Sequence, residues 1–274
     1  MKHQTIALWE EGVDPRGGGE DFRPTLDTYV LEGTRQRGAV LICPGGGYEF
    51  TSPREAEPIA LQFNAAGFHA FVVYYSVAPQ RHPQPLLDVS RAMVILRENA
   101  APWNIDAAKI AVCGFSAGGH LAASLGVHWS QAYLQNHAGM VPGMNRPAAL
   151  ILCYPVITAG RFAHRGSFDN LLGPQASPEL RDEMSLERQV NSGTPPAFIW
   201  HTYDDALVPV ENSLLFANAL REQGVPFELH IYPAGPHGLS LATAETEEDG
   251  MGVHPHVASW MKSCLEWLTE LFRA

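Results

Sequence analysis

Residues 109–121 read Lys109-Ile-Ala-Val-Cys-Gly-Phe-Ser116-Ala-Gly-Gly-His-Leu121. The apolar run at the start of this stretch predicts a buried strand, and residues 118–128 predict a helix. Between them, Gly114-Phe-Ser-Ala-Gly118 has the Gly-x-Ser-x-Gly spacing of a nucleophile elbow, where a sharp turn exposes a serine hydroxyl. The helix N-terminus favours negative charge that develops beside that serine. Because the motif alone arises by chance in a chain with 25 glycines, its meaning depends on what else the chain carries.

A glycine-rich loop follows another predicted strand. The run Ala39-Val-Leu-Ile-Cys43 leads directly into Pro44-Gly-Gly-Gly-Tyr48. Consecutive glycines let backbone N–H groups approach a ligand without obstruction by a Cβ atom, and a serine nucleophile needs such donors for the oxyanion of acyl transfer. A flexible turn and a phosphate-binding loop are the alternatives. The second is weaker, because no Lys-Ser/Thr pair follows and Gly-x-Gly-x-x-Gly is not satisfied here.

Two later strands each lead into polar residues that could complete the site. The run 197–203 ends at Asp204-Asp205, and the run 227–232 precedes the loop 233–238, which contains His237. Open α/β sheets gather their functional groups at the carboxyl ends of strands, and the chain order Ser, Asp, His is that of α/β-hydrolases. The sequence therefore predicts Ser116 as nucleophile and His237 as its base, with either aspartate as the orienting acid.

These stretches resemble α/β-hydrolases of the acetyl-esterase and hormone-sensitive-lipase-like group, and more narrowly the bacterial acetyl xylan and feruloyl esterases. The matching stretches cover most of the chain from about residue 39 onward: Cys43–Tyr48, Tyr75–Pro79, Trp103–Asp106, Gly114–Leu121, Thr194–Thr202, Asp205–Ser213 and Pro236–Leu239. The resemblance implies an α/β-hydrolase fold with a mostly parallel central sheet and helices on both faces. The alternation of strand-like and helical runs along the chain indicates the same architecture.

The resemblance also implies roles for individual residues. Ser116 is the expected nucleophile, His237 the base and Asp205 its orienter, because Asp205-Ala-Leu-Val-Pro matches the Asp-x-x-Val-Pro of such hydrolases. Asp204 then becomes a turn residue, although it remains the alternative acid. One departure is Pro44, which stands where lipase relatives carry the histidine of a His-Gly-Gly-Gly loop and which favours the carbohydrate-esterase branch.

The remaining expected site residues surround the nucleophile. The resemblance implies that the backbone amides of Gly46, Gly47 and Ala117 form the oxyanion hole, and Tyr48 and His120 are expected to bind substrate. Cofactors and metal ions are not expected, because the chain has no Cys-x-x-Cys or His-x-x-x-His pair.

Length and composition favour one hydrolase domain over residues 1–274, with a short lid-like insert at 158–191. A net charge of −11 with 18 basic residues argues against nucleic acid or an anionic membrane as partner. The first residues contain no apolar signal region and the four cysteines are dispersed, which favours a cytoplasmic protein with free thiols.

Local patterns predict an antiparallel edge of the sheet within residues 1–35, with residues 25–31 as one of its strands. Ser52-Pro-Arg-Glu55 predicts a capping box that opens a helix ending near residue 66. In the insert, Ser177-Pro-Glu179 predicts a small helix. Few apolar residues are available for a lipase-type lid there: Phe162, Phe168, Leu171 and Leu172.

Together these features predict a serine carboxylic-ester hydrolase that removes acetyl, feruloyl or other small acyl groups from sugars or xylo-oligosaccharides by way of an acyl-enzyme. The polar insert suits a small-molecule or oligosaccharide ester. A peptidase of the prolyl-oligopeptidase type is disfavoured, since no propeller domain precedes the hydrolase region. A non-catalytic receptor on the same fold is disfavoured because the base, His237, is present.

Overall fold

One mixed β-sheet forms the centre of the molecule. The computed structural model describes residues 1–10, 23–137, 139–248 and 250–273. Its strands are β1 (Lys2–Ala7), β2 (Thr25–Val30), β3 (Arg37–Cys43), β4 (His69–Tyr74), β5 (Ile105–Phe115), β6 (Ala149–Cys153), β7 (Ala197–Thr202) and β8 (Phe227–Tyr232). In the described residues these eight strands lie in the order β1-β2-β4-β3-β5-β6-β7-β8. Strands β1 and β2 are antiparallel, as predicted for the edge, and β3 to β8 are parallel.

Helices cover both faces of the sheet. They are α1 (Glu57–Ala65), α2 (Gln84–Glu98), α3 (Ala100–Trp103), α4 (Ala117–His128), α5 (Ala132–Gln135), α6 (Arg165–Leu172), α7 (Pro178–Glu183), α8 (Glu211–Glu222) and α9 (Pro255–Leu271). Alternate strand side chains point to opposite faces. Leu41 of β3 therefore packs in the core that holds α2, α4 and α8, whereas Val40 and Ile42 pack in the core that holds α1 and α9. The predicted α/β-hydrolase architecture is confirmed.

The predicted capping box at Ser52 is wrong. A single 3-10 turn, Pro53–Glu55, comes first, and α1 begins two residues later. The Ser52 side chain makes no capping hydrogen bond. The Glu55 carboxylate cannot reach back to Ser52 because it is buried and accepts hydrogen bonds from the Gly45 amide and the Tyr154 hydroxyl. A tertiary contact has overridden a local pattern.

The insert at 158–191 packs onto the body of the protein. It contains α6, α7 and a 3-10 turn at Leu186–Arg188, and the Ser177 hydroxyl caps α7 as predicted, by accepting from the Leu180 amide. Phe168, Leu171 and Leu172 are buried in the core beside α4. These apolar residues therefore attach the insert to the sheet and do not form an open apolar surface.

All four cysteines are buried and free: Cys43, Cys113, Cys153 and Cys264. Burial raises the pKa of each thiol above its ordinary value. The thiols are therefore neutral core side chains, as the sequence predicted. In the described part of the chain, no helix has the length and apolar character that crossing a membrane requires.

A glycine permits a close backbone contact between α4 and the start of the glycine loop. A Cβ atom on Gly118, in the first turn of α4, would fall on the carbonyl oxygens of Cys43 and Pro44. We expect Gly118→Ala to lower the free energy of unfolding by about 3 kcal/mol, at the upper end of the usual cost of overpacking, because both obstacles are backbone atoms. Urea unfolding of the purified variant measures this change.

Gly166→Ala is the matched control, because the added Cβ atom would lie 3.5 Å from His164 Cε1, an ordinary contact distance. Alanine in helix α6 should leave stability unchanged or raise it by up to about 1 kcal/mol. Equal stability of the two variants would contradict the importance of the Gly118 contact.

Candidate active site

Ser116 occupies a strained turn between β5 and α4. Its φ of 52° and ψ of −118° lie in a region that residues other than glycine rarely adopt. Neighbouring backbone holds it there, because the Ser116 amide donates to Cys153 O over 3.0 Å and Ser116 O accepts from the Val156 amide over 3.0 Å. The serine therefore has the conformation expected of a nucleophile elbow, at the N-terminus of α4.

The structure brings Ser116, His237 and Asp205 into one hydrogen-bonded chain. His237 Nε2 lies 2.8 Å from Ser116 Oγ, and His237 Nδ1 lies 2.6 Å from Asp205 Oδ2. The carboxylate can only accept, so Nδ1 of a neutral imidazole carries the proton and Nε2 accepts from the serine hydroxyl. This is the arrangement that general-base activation of a serine requires.

Asp205 is buried and fully hydrogen-bonded. Its Oδ1 accepts from the Leu207 and Val208 amides over 3.0 and 2.9 Å, while Oδ2 accepts from two histidines. Burial alone would raise the pKa of this carboxyl, but the hydrogen bonds from His201 and His237 and the charge of His237 outweigh it and hold the pKa well below its ordinary value. Asp205 is therefore ionised at neutral pH.

His201 is a partner of Asp205 to which the sequence analysis assigned no role. Its Nε2 lies 3.2 Å from Asp205 Oδ2 and 2.9 Å from Val208 O. Both neighbours are acceptors, so this nitrogen carries the proton, and Nδ1 accepts from Ser213 Oγ over 2.7 Å. The only available signal was its position four residues before Asp205, at the end of β7.

Asp204 lies on the opposite side of the same turn. Its Oδ1 accepts from the Gly235 amide over 2.7 Å, and Gly235 stands two residues before His237. Asp204 is exposed, whereas Asp205 is buried. The geometry therefore pairs Asp205, and not Asp204, with the imidazole, while Asp204 holds the loop that carries it.

The glycine loop lies beside the serine. Gly46 and Gly47 have φ values of 126° and 66°, which favour glycine. Within the described residues, the amides of Gly46, Gly47 and Ala117 donate to no protein acceptor. The Asn170 side chain of the insert donates to Gly47 O over 2.9 Å, so helix α6 helps to fix the loop. The three amides are available for an anionic ligand.

Tyr48 and His120, which the sequence predicted to bind substrate, are buried beside the glycine loop, and their substrate-binding role stays a prediction. Their exposed fractions are 1% and 0%. Tyr48 Oη lies 2.9 Å from His120 Nδ1, and His120 Nε2 lies 3.0 Å from Met184 O. Burial lowers the pKa of His120 to about 4, so the ring is neutral near pH 7. The pair connects the glycine loop to helix α4 and the insert from inside the protein.

Glu55 is a second buried carboxylate behind the site. Its Oε2 accepts from the Gly45 amide over 2.7 Å and its Oε1 from the Tyr154 hydroxyl over 2.6 Å. Burial raises the pKa of this carboxyl, and these hydrogen bonds oppose the rise. Sequence reasoning missed this role, because the capping-box pattern offered a local partner for Glu55.

The described residues contain no group of three or more His, Cys, Asp or Glu side chains placed to hold a metal ion. The chemistry that the arrangement supports is nucleophilic attack by Ser116 with His237 as base. The amides of Gly46, Gly47 and Ala117 could receive the resulting oxyanion.

Known proteins that are similar to this chain include esterases and a xylanase. A model of the BD-FAE family matches residues 26–220. Endo-1,4-beta-xylanase B of Butyrivibrio fibrisolvens is 42% identical over 242 residues, which cover 87% of this chain and 38% of the xylanase. The acetylxylan esterase of Xylanibacter ruminicola is 34% identical over 250 residues, which cover 89% of this chain and 49% of the esterase. The chain thus spans less than half the length of these curated relatives.

Among solved structures, an acetyl ester-xyloside bifunctional hydrolase from Caldicellulosiruptor lactoaceticus matches with a TM-score of 0.88 and 43% identity. The match covers 98% of this chain and 96% of that one. A carboxylesterase from Lactobacillus plantarum, Cest-2923, matches with a TM-score of 0.79 and 27% identity over 98% of both chains.

The lowered pKa of Asp205 predicts a pH-dependent contribution to stability. The folded-state pKa lies below the unfolded value of about 4, so ionised Asp205 stabilises the fold above pH 4. That contribution is lost as the pH falls from about 4 toward the folded-state pKa. Asp205→Asn should lower the free energy of unfolding by about 3 kcal/mol at pH 7, and the difference from the original protein should shrink below pH 4.

Urea unfolding between pH 7 and pH 3 measures this difference, with Asp204→Asn as the matched control for losing one carboxylate from the same turn. A difference between Asp205→Asn and the original protein that stays constant down to pH 3 would contradict the prediction.

Proposed function

Because the chain belongs to the BD-FAE family, we propose that it is a serine carboxylic-ester hydrolase that removes acetyl groups from xylose-containing oligosaccharides. The observation that carries the proposal is the hydrogen-bonded chain from Ser116 Oγ through His237 to Asp205, with distances of 2.8 and 2.6 Å. It occurs on a strained elbow next to the backbone amides of Gly46, Gly47 and Ala117, which donate to no acceptor among the described residues. Acyl transfer needs a nucleophile, a base and oxyanion donors in this relation.

In the proposed reaction, His237 Nε2 takes the proton of Ser116 as Oγ attacks the ester carbonyl. The oxyanion is received by the amides of Gly46, Gly47 and Ala117. The imidazolium then gives its proton to the departing sugar hydroxyl, which leaves an acyl-enzyme. Water repeats the sequence, with His237 again as base, and releases the acid. Ionised Asp205 orients the ring and stabilises the imidazolium.

The insert and the relatives support a small acyl group on a sugar. None of the large apolar side chains exposed in the described residues lies within 158–191, so the insert presents no apolar lid for a long-chain ester. The relatives are named for acetylxylan esterase and for hydrolysis of acetyl esters and xylosides. A feruloyl ester is the second acyl group to test, since the sequence resemblance includes feruloyl esterases.

The test is release of acetate from acetylated xylo-oligosaccharides by the original protein and by Ser116→Ala. We expect turnover by the original protein and a loss of about 10⁴- to 10⁶-fold in the variant, because the nucleophile is gone. Circular dichroism checks that the variant is folded. A variant that retained a tenth of the original rate would exclude Ser116 as nucleophile.

A parallel substrate panel defines the acyl group and the reaction class. It contains 4-nitrophenyl acetate, 4-nitrophenyl octanoate, methyl ferulate and an aminoacyl 4-nitroanilide. The proposal requires 4-nitrophenyl acetate to be hydrolysed faster than 4-nitrophenyl octanoate. Preference for the anilide would indicate a peptidase, and turnover of none of the esters would favour a receptor.

The two neighbouring aspartates should differ sharply in their effect on kcat. Asp205→Asn removes the carboxylate that holds the His237 tautomer and should lower kcat by about 10⁴-fold, as in serine proteases. Asp204→Asn should cost less than about tenfold, because an asparagine Oδ1 can still accept from the Gly235 amide. Steady-state kinetics with 4-nitrophenyl acetate give both values, and the reverse ranking would reassign the acid.

A further inference from the structure

Glu55 is a buried carboxylate that the proposed reaction does not use. Its exposed fraction is 3%, and both of its oxygens accept hydrogen bonds, from the Gly45 amide and from the Tyr154 hydroxyl. Burying a carboxylate is costly unless it is well paired. The two partners of Glu55 lie on different segments, each of which leads to a part of the proposed machinery.

The first partner, the Gly45 amide, belongs to the glycine loop. Gly45 directly precedes Gly46 and Gly47, whose amides are proposed to receive the oxyanion. A Cβ atom on Gly45 would lie 2.7 Å from Glu55 Oε2 and 3.0 Å from Ser116 Cβ. The side of Gly45 that a Cβ atom would occupy therefore packs closely against both the carboxylate and the nucleophile turn, and the Gly45 amide is fixed by its hydrogen bond to Glu55.

The second partner leads to the histidine. Tyr154 Oη donates to Glu55 and accepts from the Ser240 amide over 2.9 Å, and Ser240 lies three residues after His237. The Tyr154 ring also packs against the His237 ring, with centroids 5.1 Å apart and an interplanar angle of 71°. Through Tyr154, Glu55 fixes both the loop that carries the imidazole and one face of the ring.

Hydrogen bonds from Ser240 also reach the segment that contains Glu55. Ser240 Oγ donates to Arg54 O over 2.7 Å, and the Trp260 indole donates to Ser240 O over 2.9 Å. The glycine loop, the end of β6 and the loop after β8 are thereby joined at one carboxylate. The Gly45 amide and the Tyr154 hydroxyl both donate to Glu55, which is the terminal acceptor of these two branches.

We propose that Glu55 is a positioning residue for the ester hydrolysis, which sets the glycine loop through Gly45 and the base through Tyr154 relative to Ser116 Oγ. It acts through these neighbours and does not touch substrate. The proposal rests on the function proposed above. Displacements of reacting groups by about 1 Å can cost about 100-fold in rate, so loosening either segment should slow the chemical step more than it weakens substrate binding.

The experiment compares Glu55→Gln, Tyr154→Phe and the double variant with Glu57→Gln as matched control. Glu57 is an exposed glutamate two residues away, at the start of α1. With 4-nitrophenyl acetate, Glu55→Gln and Tyr154→Phe should each lower kcat by about 10- to 100-fold with KM within about threefold of the original. The double variant should be no worse than about the larger single effect, because both changes break one network.

Covalent labelling provides a second measurement that does not depend on substrate turnover. Diethyl 4-nitrophenyl phosphate is attacked by Ser116 Oγ, which forms an O–P bond and expels 4-nitrophenolate while His237 takes the serine proton. The rate of 4-nitrophenolate release should fall in Glu55→Gln by the same factor as kcat. Thermal unfolding, measured in parallel, gives the folded fraction of every variant at the assay temperature.

The outcomes separate this proposal from the proposed function. If the original protein neither hydrolyses esters nor reacts with the phosphate ester, the proposed function fails. If the original protein does both, and Glu55→Gln and Tyr154→Phe keep kcat within twofold, the positioning role is overturned and the hydrolase assignment stands. Activity losses that only match the loss of folded protein, or an equal loss in Glu57→Gln, also overturn it. Should Glu55→Gln fail to fold, Tyr154→Phe decides.

Discussion

The backbone of helix α4 lies directly against the backbone of the glycine loop, and the proposed site depends on that contact. Only a glycine at 118 leaves room for the carbonyl groups of Cys43 and Pro44. Strands β3 and β5 are neighbours in register, with Cys43 opposite Gly114, so both loops leave the sheet at the same level. Side chains bulkier than hydrogen would separate the two loops and move the serine away from the amides proposed to receive the oxyanion.

Asp205 and Glu55 are both buried beside the proposed site, and their surroundings shift their pKa values in opposite directions. Asp205 receives hydrogen bonds from two imidazoles and two amides, which hold its pKa low. Glu55 accepts two hydrogen bonds from neutral groups, and burial raises its pKa although these hydrogen bonds and the charges of His237 and Arg54 oppose the rise. Asp205 thus forms a direct hydrogen bond with the imidazole of His237. Glu55 instead accepts from two neutral groups that position neighbouring segments. Burial makes both groups sensitive to the loss of a single partner.

Much of the fold could be predicted from the sequence, because strands β3, β4, β6 and β7 are largely continuous apolar runs and each candidate residue comes just after a strand. Ser116, Asp205 and His237 were identifiable for that reason. The roles of Glu55 and Tyr154 were not, since their contact joins positions 99 apart in the chain. The burial of Tyr48 and His120 could not be predicted either, because sequence proximity to the loop does not reveal on which side of it a side chain lies. A local pattern at Ser52 failed for the same reason, as a distant amide competed for the glutamate.

The reactivity of the four buried cysteines can report on transient opening of the fold. They lie on β3, β5, β6 and α9, in the layers that form the centre of the sheet and one of its covering helices. Their thiols are buried and hold their protons, so a thiolate-directed reagent finds no target in the closed structure. The rate of alkylation in native buffer is therefore set by how often the centre of the fold opens to solvent. The rate of alkylation can be compared with the rate at which the protein loses its reactivity at Ser116. The comparison would show whether the loops around the proposed site open before the sheet does or together with it.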